Sequence, residues 1–181
     1  EALAALDAEG WRAAPGPIKG AITIEKAGSF EESDTFRKGW FLVQDVTAIR
    51  IGDALKPPRG SRVLDLCSAP GGKATQLLER VGPEGMVVCA DRSEERVSLV
   101  QETLSRVGSS YRTVVLPEDP DRIDLGEEFS HVLVDAPCSN TGVLARRPEA
   151  RWRVHAKDLE SLSRLQLRLL EAALRHLAPG G

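Results

Sequence analysis

Val63-Leu64-Asp65-Leu66-Cys67-Ser68-Ala69-Pro70-Gly71-Gly72-Lys73 is the stretch from which the architecture of this chain is read. An apolar run, 63–66, breaks into a Pro-Gly-Gly turn. A helix-forming series follows, with Ala74, Leu77, Leu78 and Val81 at i, i+3, i+4 and i+7. Strand, tight glycine turn and helix together put a ligand at the carboxyl end of a parallel strand, against a helix N-terminus. Gly71 and Gly72 let backbone approach that ligand with no Cβ in the way.

Downstream the pattern alternates. Strands are expected at 63–66, 87–90, 113–116 and 131–134. Helices are expected at 73–81, at 94–107 behind the cap Ser93, and at 158–177, with Leu159, Leu162, Leu165, Leu169 and Leu177 near one stripe. Such alternation predicts an α/β fold, a doubly wound, mainly parallel sheet. Upstream, 1–10 reads as the end of a helix with Leu3 and Leu6 as core contacts, Pro15 and Pro17 mark a loop, and 21–25 is a short strand. Residues 28–34 read as loop and 36–43 as an extended apolar run. A helix from Gln44-Asp45 carries Val46, Ile49 and Leu55, and Pro57-Pro58-Arg59-Gly60 closes it. The expected organisation is an N-terminal appendage, 1–43, followed by the main domain, 44–181.

The 181 residues carry 24 Lys and Arg against 27 Asp and Glu, a net charge of −3, so any nucleic-acid surface has to be a local patch. Three irregularly spaced cysteines suggest neither a disulfide framework nor a metal site. No apolar run reaches membrane-spanning length and no signal peptide opens the chain, so a cytoplasmic setting with no membrane partner is expected. The first residue is Glu1, the only methionine is Met86, and Ala178-Pro179-Gly180-Gly181 is a helix-stop signal that should lead into another strand. A piece of a longer protein is therefore expected, truncated before the later strands.

Acids stand at the carboxyl ends of the later strands: Asp91, the pair Glu118-Asp119, and Asp135. In a doubly wound sheet these positions share the ligand-binding edge, and Asp91 is placed to accept hydrogen bonds from a ribose diol. Acids that merely cap the following turn are the plainer reading of any one of them; three in series beside a Gly-Gly turn favour a nucleoside. The chain has no G-x-G-x-x-G and no P-loop, since Gly72-Lys73 is followed by Ala74. Lys73 could contact a phosphate or pair with a carboxylate. S-adenosylmethionine, with ribose and adenine but no phosphate, fits these residues better than a dinucleotide or a triphosphate.

A second dense feature follows the fourth strand, Asp135-Ala136-Pro137-Cys138-Ser139-Asn140-Thr141-Gly142 and onward to Arg153. Arg146, Arg147, Arg151 and Arg153 crowd around Trp152, a composition that suits phosphate contacts and base stacking on single-stranded nucleic acid. A solvated helix start with Trp152 as a packing anchor is the plain alternative. Asp135 and Cys138 share one tight turn. A thiolate added to carbon-6 of a pyrimidine makes carbon-5 nucleophilic enough to attack a sulfonium methyl group, and a carboxyl group near ring nitrogen 3 assists as charge develops. These two residues have the types and spacing for such work.

The stretches 65–73 and 135–142 closely resemble two signature motifs of the Sun (Fmu) family of RNA cytosine-C5 methyltransferases. Gly39 to Asp45 is similar to the segment leading into that family's catalytic domain, and Arg147-Pro148-Glu149 with Trp152 is similar to its post-loop pattern. The resemblance implies a Rossmann-like class I S-adenosylmethionine-dependent methyltransferase fold. It implies that Cys67, Ser68, Ala69, Pro70, Gly71, Gly72 and Lys73 wrap the methionine part of the cofactor, that Asp91 holds the ribose, and that Asp135 sits near the cofactor and target base. Glu118 aligns with the adenine-side acid, with Asp119 competing for that place. In the family the attacking cysteine lies in a later Thr-Cys motif, and the Pro-Cys cysteine, here Cys138, assists product release. A chain stopping at Gly181 is accordingly expected to lack the nucleophile and to be inactive by itself. Two other readings stand beside this one: Cys138 as the nucleophile, as in the Pro-Cys motif of DNA cytosine methyltransferases, and a non-catalytic cofactor- or RNA-binding scaffold.

Overall fold

The computed structural model describes residues 1–108, 110–144, 148, 152 and 155–181. Four parallel strands form its centre: β3 (Arg62–Leu66), β4 (Met86–Asp91), β5 (Tyr111–Val115) and β6 (His131–Val134), in the order β5-β4-β3-β6. Leu64 lies opposite Val88 of β4 on one side and Val132 of β6 on the other. The chain thus enters at β3, moves outward through β4 and β5, and returns to the other flank of β3. Successive connections leave that strand in opposite directions, which opens a crevice at its carboxyl end.

Both faces of the sheet are covered. Val63, Val87 and Cys89 pack against α4 (Gly72–Val81) and α5 (Glu94–Ser105), with Leu77, Val81, Val100 and Leu104 fully or almost fully buried. Leu64, Leu66, Val88 and Ala90 point the other way, onto Phe129, Leu169, Ala172 and Ala173. The last three lie on α6 (Ala156–Arg175). This two-sided burial explains why β3 and β4 are continuous apolar runs rather than alternating ones. Each fully buried Val or Leu contributes about 1.5–3 kcal/mol. Along α6, Leu165 and Leu169 face the core as expected, but Leu159 is half exposed because the sheet lies beneath only the later turns. At the amino ends of the strands, the Glu127 carboxylate bridges Arg62 of β3 and Arg112 of β5.

The N-terminal segment departs most from expectation. Helix α1 (Ala2–Ala8) with buried Leu6 agrees with the sequence reading, but β1 (Arg12–Pro15) and β2 (Ile22–Lys26) form an antiparallel pair where only the second was expected. Residues 36–43 are not extended, because a one-turn helix, α2 (Asp34–Arg37), takes their start. Ser33 caps it by accepting from the Phe36 N–H, and Glu9 accepts from the Ser33 and Thr35 hydroxyls. Its apolar residues serve an aromatic cluster of Trp11, Phe30, Phe36 and Phe41 rather than a strand. Helix α3 (Val46–Leu55) follows, capped by Asp45.

The segment grips the end of α5, where the Arg106 guanidinium lies 4.2 Å from the Phe36 ring centroid. Gly39 has φ +72° there, and a Cβ on it would meet the Arg106 carbonyl oxygen at 2.0 Å. Gly39→Ala is therefore expected to cost about 3 kcal/mol or more, read as a lowered denaturant midpoint at unchanged slope. A variant as stable as the wild type would disprove this packing. Among the described residues no helix is long and apolar enough to cross a membrane.

Candidate active site

The site is built at the carboxyl ends of β3, β4 and β6. After Leu66 the chain turns through Cys67, at φ 68°, and a cis Ala69–Pro70 peptide to Gly71, which caps α4 at φ 100°. A side chain at Gly71 would press on Thr103 of α5 at 3.3 Å, so glycine there is both a conformational and a packing requirement. The N-terminus of α4 opens toward the crevice with no side-chain cap.

Asp91, the last residue of β4, holds this turn in place. It is 3% exposed, and its carboxylate accepts from the Ala69 N–H at 2.9 Å, the Arg92 N–H at 2.8 Å and Arg96 Nε at 2.6 Å. Arg96 reaches back to the Ala69 carbonyl at 3.3 Å, which closes a ring across the turn. Sequence reasoning missed Arg96. Its only signal was the position of an arginine in the first turn of the helix that follows the acid-ended strand.

Beneath the turn lies Asp65, fully buried, with neither carboxylate oxygen hydrogen-bonded among the described residues. Burial pushes its pKa up to about 7, and the charges of Asp135 and Asp91 act in the same direction. Lys73 opposes this, as does the Ser68 hydroxyl, which lies close but outside hydrogen-bond geometry and is itself unpaired. Burial and the same carboxylates push the Cys67 thiol up to about 12, and burial beside Asp65 does likewise for Cys89. Neither can supply a thiolate near neutral pH.

The third strand end carries Asp135. Its Oδ2 lies 2.6 Å from Lys73 Nζ, so the two signature stretches, 62 residues apart in sequence, meet in one ion pair. Lys73 is thus the carboxylate partner of the two roles open to it. Cys138, three residues on, is exposed, and its sulfur accepts from the Asn140 N–H at 3.4 Å. Gln166 of α6 donates to the Pro137 carbonyl at 2.7 Å and fixes the path of this loop.

After β5 the two competing acids separate. Asp119 caps the short 3-10 turn Pro120–Arg122 and is paired with Arg168 and Arg122, whereas Glu118 is exposed and makes no hydrogen bond or ion pair among the described residues. Trp152 is 79% exposed, which removes the packing-anchor reading. Arg146, Arg147, Arg151 and Arg153 lie outside the described residues. Among the described residues no group of three or more His, Cys, Asp or Glu side chains could hold a metal ion.

A parallel sheet with a glycine turn after its central strand, and carboxylates after each neighbour, defines the class I S-adenosylmethionine-dependent methyltransferase fold. The chain superposes with a TM-score of 0.81 at 27% identity on a methyltransferase homologue from Pyrococcus horikoshii, covering 99% of this chain and 57% of that one. It matches NSun6 from the same organism, crystallised with SFG, at a TM-score of 0.75 and 28% identity, over 89% of this chain and 42% of that one.

Residues 53–181 match the family described as 16S rRNA methyltransferase RsmB/F, and the chain belongs to that family. Ribosomal RNA small subunit methyltransferase B from Klebsiella pneumoniae is 42% identical over 81% of this chain, and that from Shigella sonnei is 38% identical over 99%. The chain spans 34% and 42% of the length of these two relatives.

Proposed function

We propose that this chain forms the donor-binding part of an enzyme that transfers the methyl group of S-adenosylmethionine to carbon-5 of a cytosine in RNA. Ribosomal RNA is the substrate class to which the names of its relatives point. The observation that carries this reading is the Lys73–Asp135 ion pair, which brings the glycine turn after β3 and the Asp-Ala-Pro-Cys loop after β6 together at one edge of the sheet.

The residues present fit the cofactor. The turn from Cys67 to Lys73 offers backbone without side chains at Gly71 and Gly72, the unpaired Asp65 and Ser68 lie under it, and Glu118 is an acid without a partner among the described residues. We assign Glu118 to the adenine edge, since Asp119 is committed to Arg168. Asp91 supports the donor site by holding the Ala69 turn and faces the ribose position from the end of β4. SFG, an analogue of the same cofactor, accompanies a relative of the same fold. When bound, S-adenosylmethionine supplies an electrophilic methyl group. Lys73 holds Asp135 aimed through Oδ2, leaving Oδ1 to meet the base edge as charge develops at ring nitrogen 3. The exposed Trp152 offers a stacking face for an unpaired or flipped base, with Arg146, Arg147 and Arg151 assigned to phosphates from the sequence. We further propose a cytoplasmic setting, in keeping with three unpaired thiols, and an appendage boundary at residue 43, between α2 and α3.

Cys138 is assigned to product release. Its exposure, against a half-buried and a buried thiol of raised pKa, supports the nucleophile reading as the second choice. Two measurements test the proposal. Calorimetry should detect S-adenosylmethionine binding to this chain, and a folded chain that binds none overturns the donor site. In the longer protein, Cys138→Ala should accumulate a covalent RNA adduct; a variant that forms none makes Cys138 the nucleophile.

A further inference from the structure

Helix α6 touches both ends of the crevice through neighbouring residues. Gln166 donates to the Pro137 carbonyl, within the turn that links Asp135 to Cys138. Two residues on, Arg168 donates to Asp119, and its Nε and terminal nitrogen reach Asp121 at 3.2 and 2.7 Å. At the last residue of the helix, Arg175 donates to the Pro120 carbonyl at 3.2 Å. The segment held this way is the one that follows Glu118. The two loops come from strands at different places in the sheet, β5 at its edge and β6 on the far side of β3, so the sheet alone does not set their separation.

These contacts are poor candidates for holding the fold together. Arg168, Asp119 and Asp121 are each 40% exposed or more, and ion pairs at such sites contribute little to stability. The apolar residues Leu169, Ala172 and Ala173 already fix α6 to the sheet. Positioning is another matter, because a misplacement of about 1 Å at a reacting centre costs on the order of a hundredfold in rate.

We infer that Gln166 and Arg168 are positioning residues: Gln166 sets the Asp135–Cys138 loop and Arg168 sets the Glu118 loop, so that α6 fixes the spacing between methyl donor and target base. The inference rests on the donor-site reading for Arg168 and on geometry alone for Gln166. It predicts a separable pair of defects. Arg168→Ala should weaken S-adenosylmethionine binding by roughly threefold to tenfold in calorimetry, and Arg168→Lys, which keeps a donor to Asp119, should recover part of that loss. Gln166→Ala should leave binding unchanged but raise the rate at which iodoacetamide alkylates Cys138 by about threefold, since the turn that places Asn140 against the sulfur is no longer tethered. Cys138 is the only exposed thiol, so the alkylation rate reports on that loop.

Melting temperatures of the three variants should stay close to that of the wild type. Folded variants with wild-type affinity and wild-type alkylation overturn the inference. So does a loss that follows the melting temperature and is not recovered by Arg168→Lys, because it marks a merely structural role. If the wild-type chain fails to bind the cofactor, the donor-site reading falls, while the alkylation arm still decides the role of Gln166.

Discussion

Replacing Asp91 with alanine is expected to lower S-adenosylmethionine affinity more than tenfold and to destabilise the chain by about 2–4 kcal/mol. The size of the effect follows from what the carboxylate does before any ligand arrives. It is almost wholly buried and accepts from the Ala69 N–H, the Arg92 N–H and the Arg96 guanidinium. Its loss leaves two part-buried N–H groups and a half-buried cation without their partner, at the turn proposed to receive the donor. Arg96 is 40% exposed, so water can take up part of its charge, and the cost stays below that of a fully enclosed pair. Asp91→Asn separates the two contributions: it keeps one acceptor for Ala69 but not the charge for Arg96. Calorimetry and denaturant melts on both variants measure this. An Asp91→Ala chain with wild-type affinity would show that the turn forms without its tether.

Asp65→Asn is expected to act in the opposite direction, and only at high pH. In the folded chain the Asp65 pKa is pushed up to about 7 by burial, whereas an unfolded aspartate titrates near 4. Between those values the folded state binds more protons than the unfolded state, so stability falls as pH rises through the window. The contribution is fully present below about pH 4, is lost on approach to pH 7, and stays lost above it. An asparagine carries no charge to bury. The variant should match the wild type near pH 4 and exceed it by on the order of 2–4 kcal/mol at pH 8, measured as the difference between urea-unfolding free energies at the two pH values. A pH-independent difference would mean that Asp65 stays ionised by finding a partner.

How much of this was legible in the sequence depends on the range of the forces involved. The strands 63–66, 87–90 and 131–134 stand within one residue of either end of β3, β4 and β6, because burial on both faces leaves an unbroken apolar signature that no other arrangement explains. The strand expected at 113–116 begins earlier, at Tyr111, since β5 is an edge strand whose polar residues face water and carry little pattern. The hairpin of β1 and β2 was half missed. Its pairing puts Pro15 itself in a strand, opposite Ile22 across a loop that holds Pro17, and its burial comes from aromatic residues scattered over thirty positions. The helix α2 was missed for a similar reason: its cap, Ser33, is itself held by Glu9, a contact across 24 residues.

The site divides in the same way. Asp65 to Lys73 and Asp135 to Cys138 were readable because turn chemistry and strand ends are local. Arg96, Gln166 and Arg168 were not, since each matters only through the loop it reaches across the sheet edge. The choice between Glu118 and Asp119 was open in the sequence, and our assignment of Glu118 rests on a long-range ion pair that occupies Asp119 from α6.

The Glu127 bridge between Arg62 and Arg112 closes the opposite rim of the sheet from the crevice. Among the described residues, Asp91, Glu118, Asp135 and the turn from Cys67 to Lys73 lie at the carboxyl ends of the strands, and this clasp lies at the amino ends. The chain therefore separates its tolerance for change by geography. Loops on the crevice rim can be reshaped without touching the clasp, and the clasp, whose arginines are half exposed, can be exchanged at little cost in stability without touching the crevice.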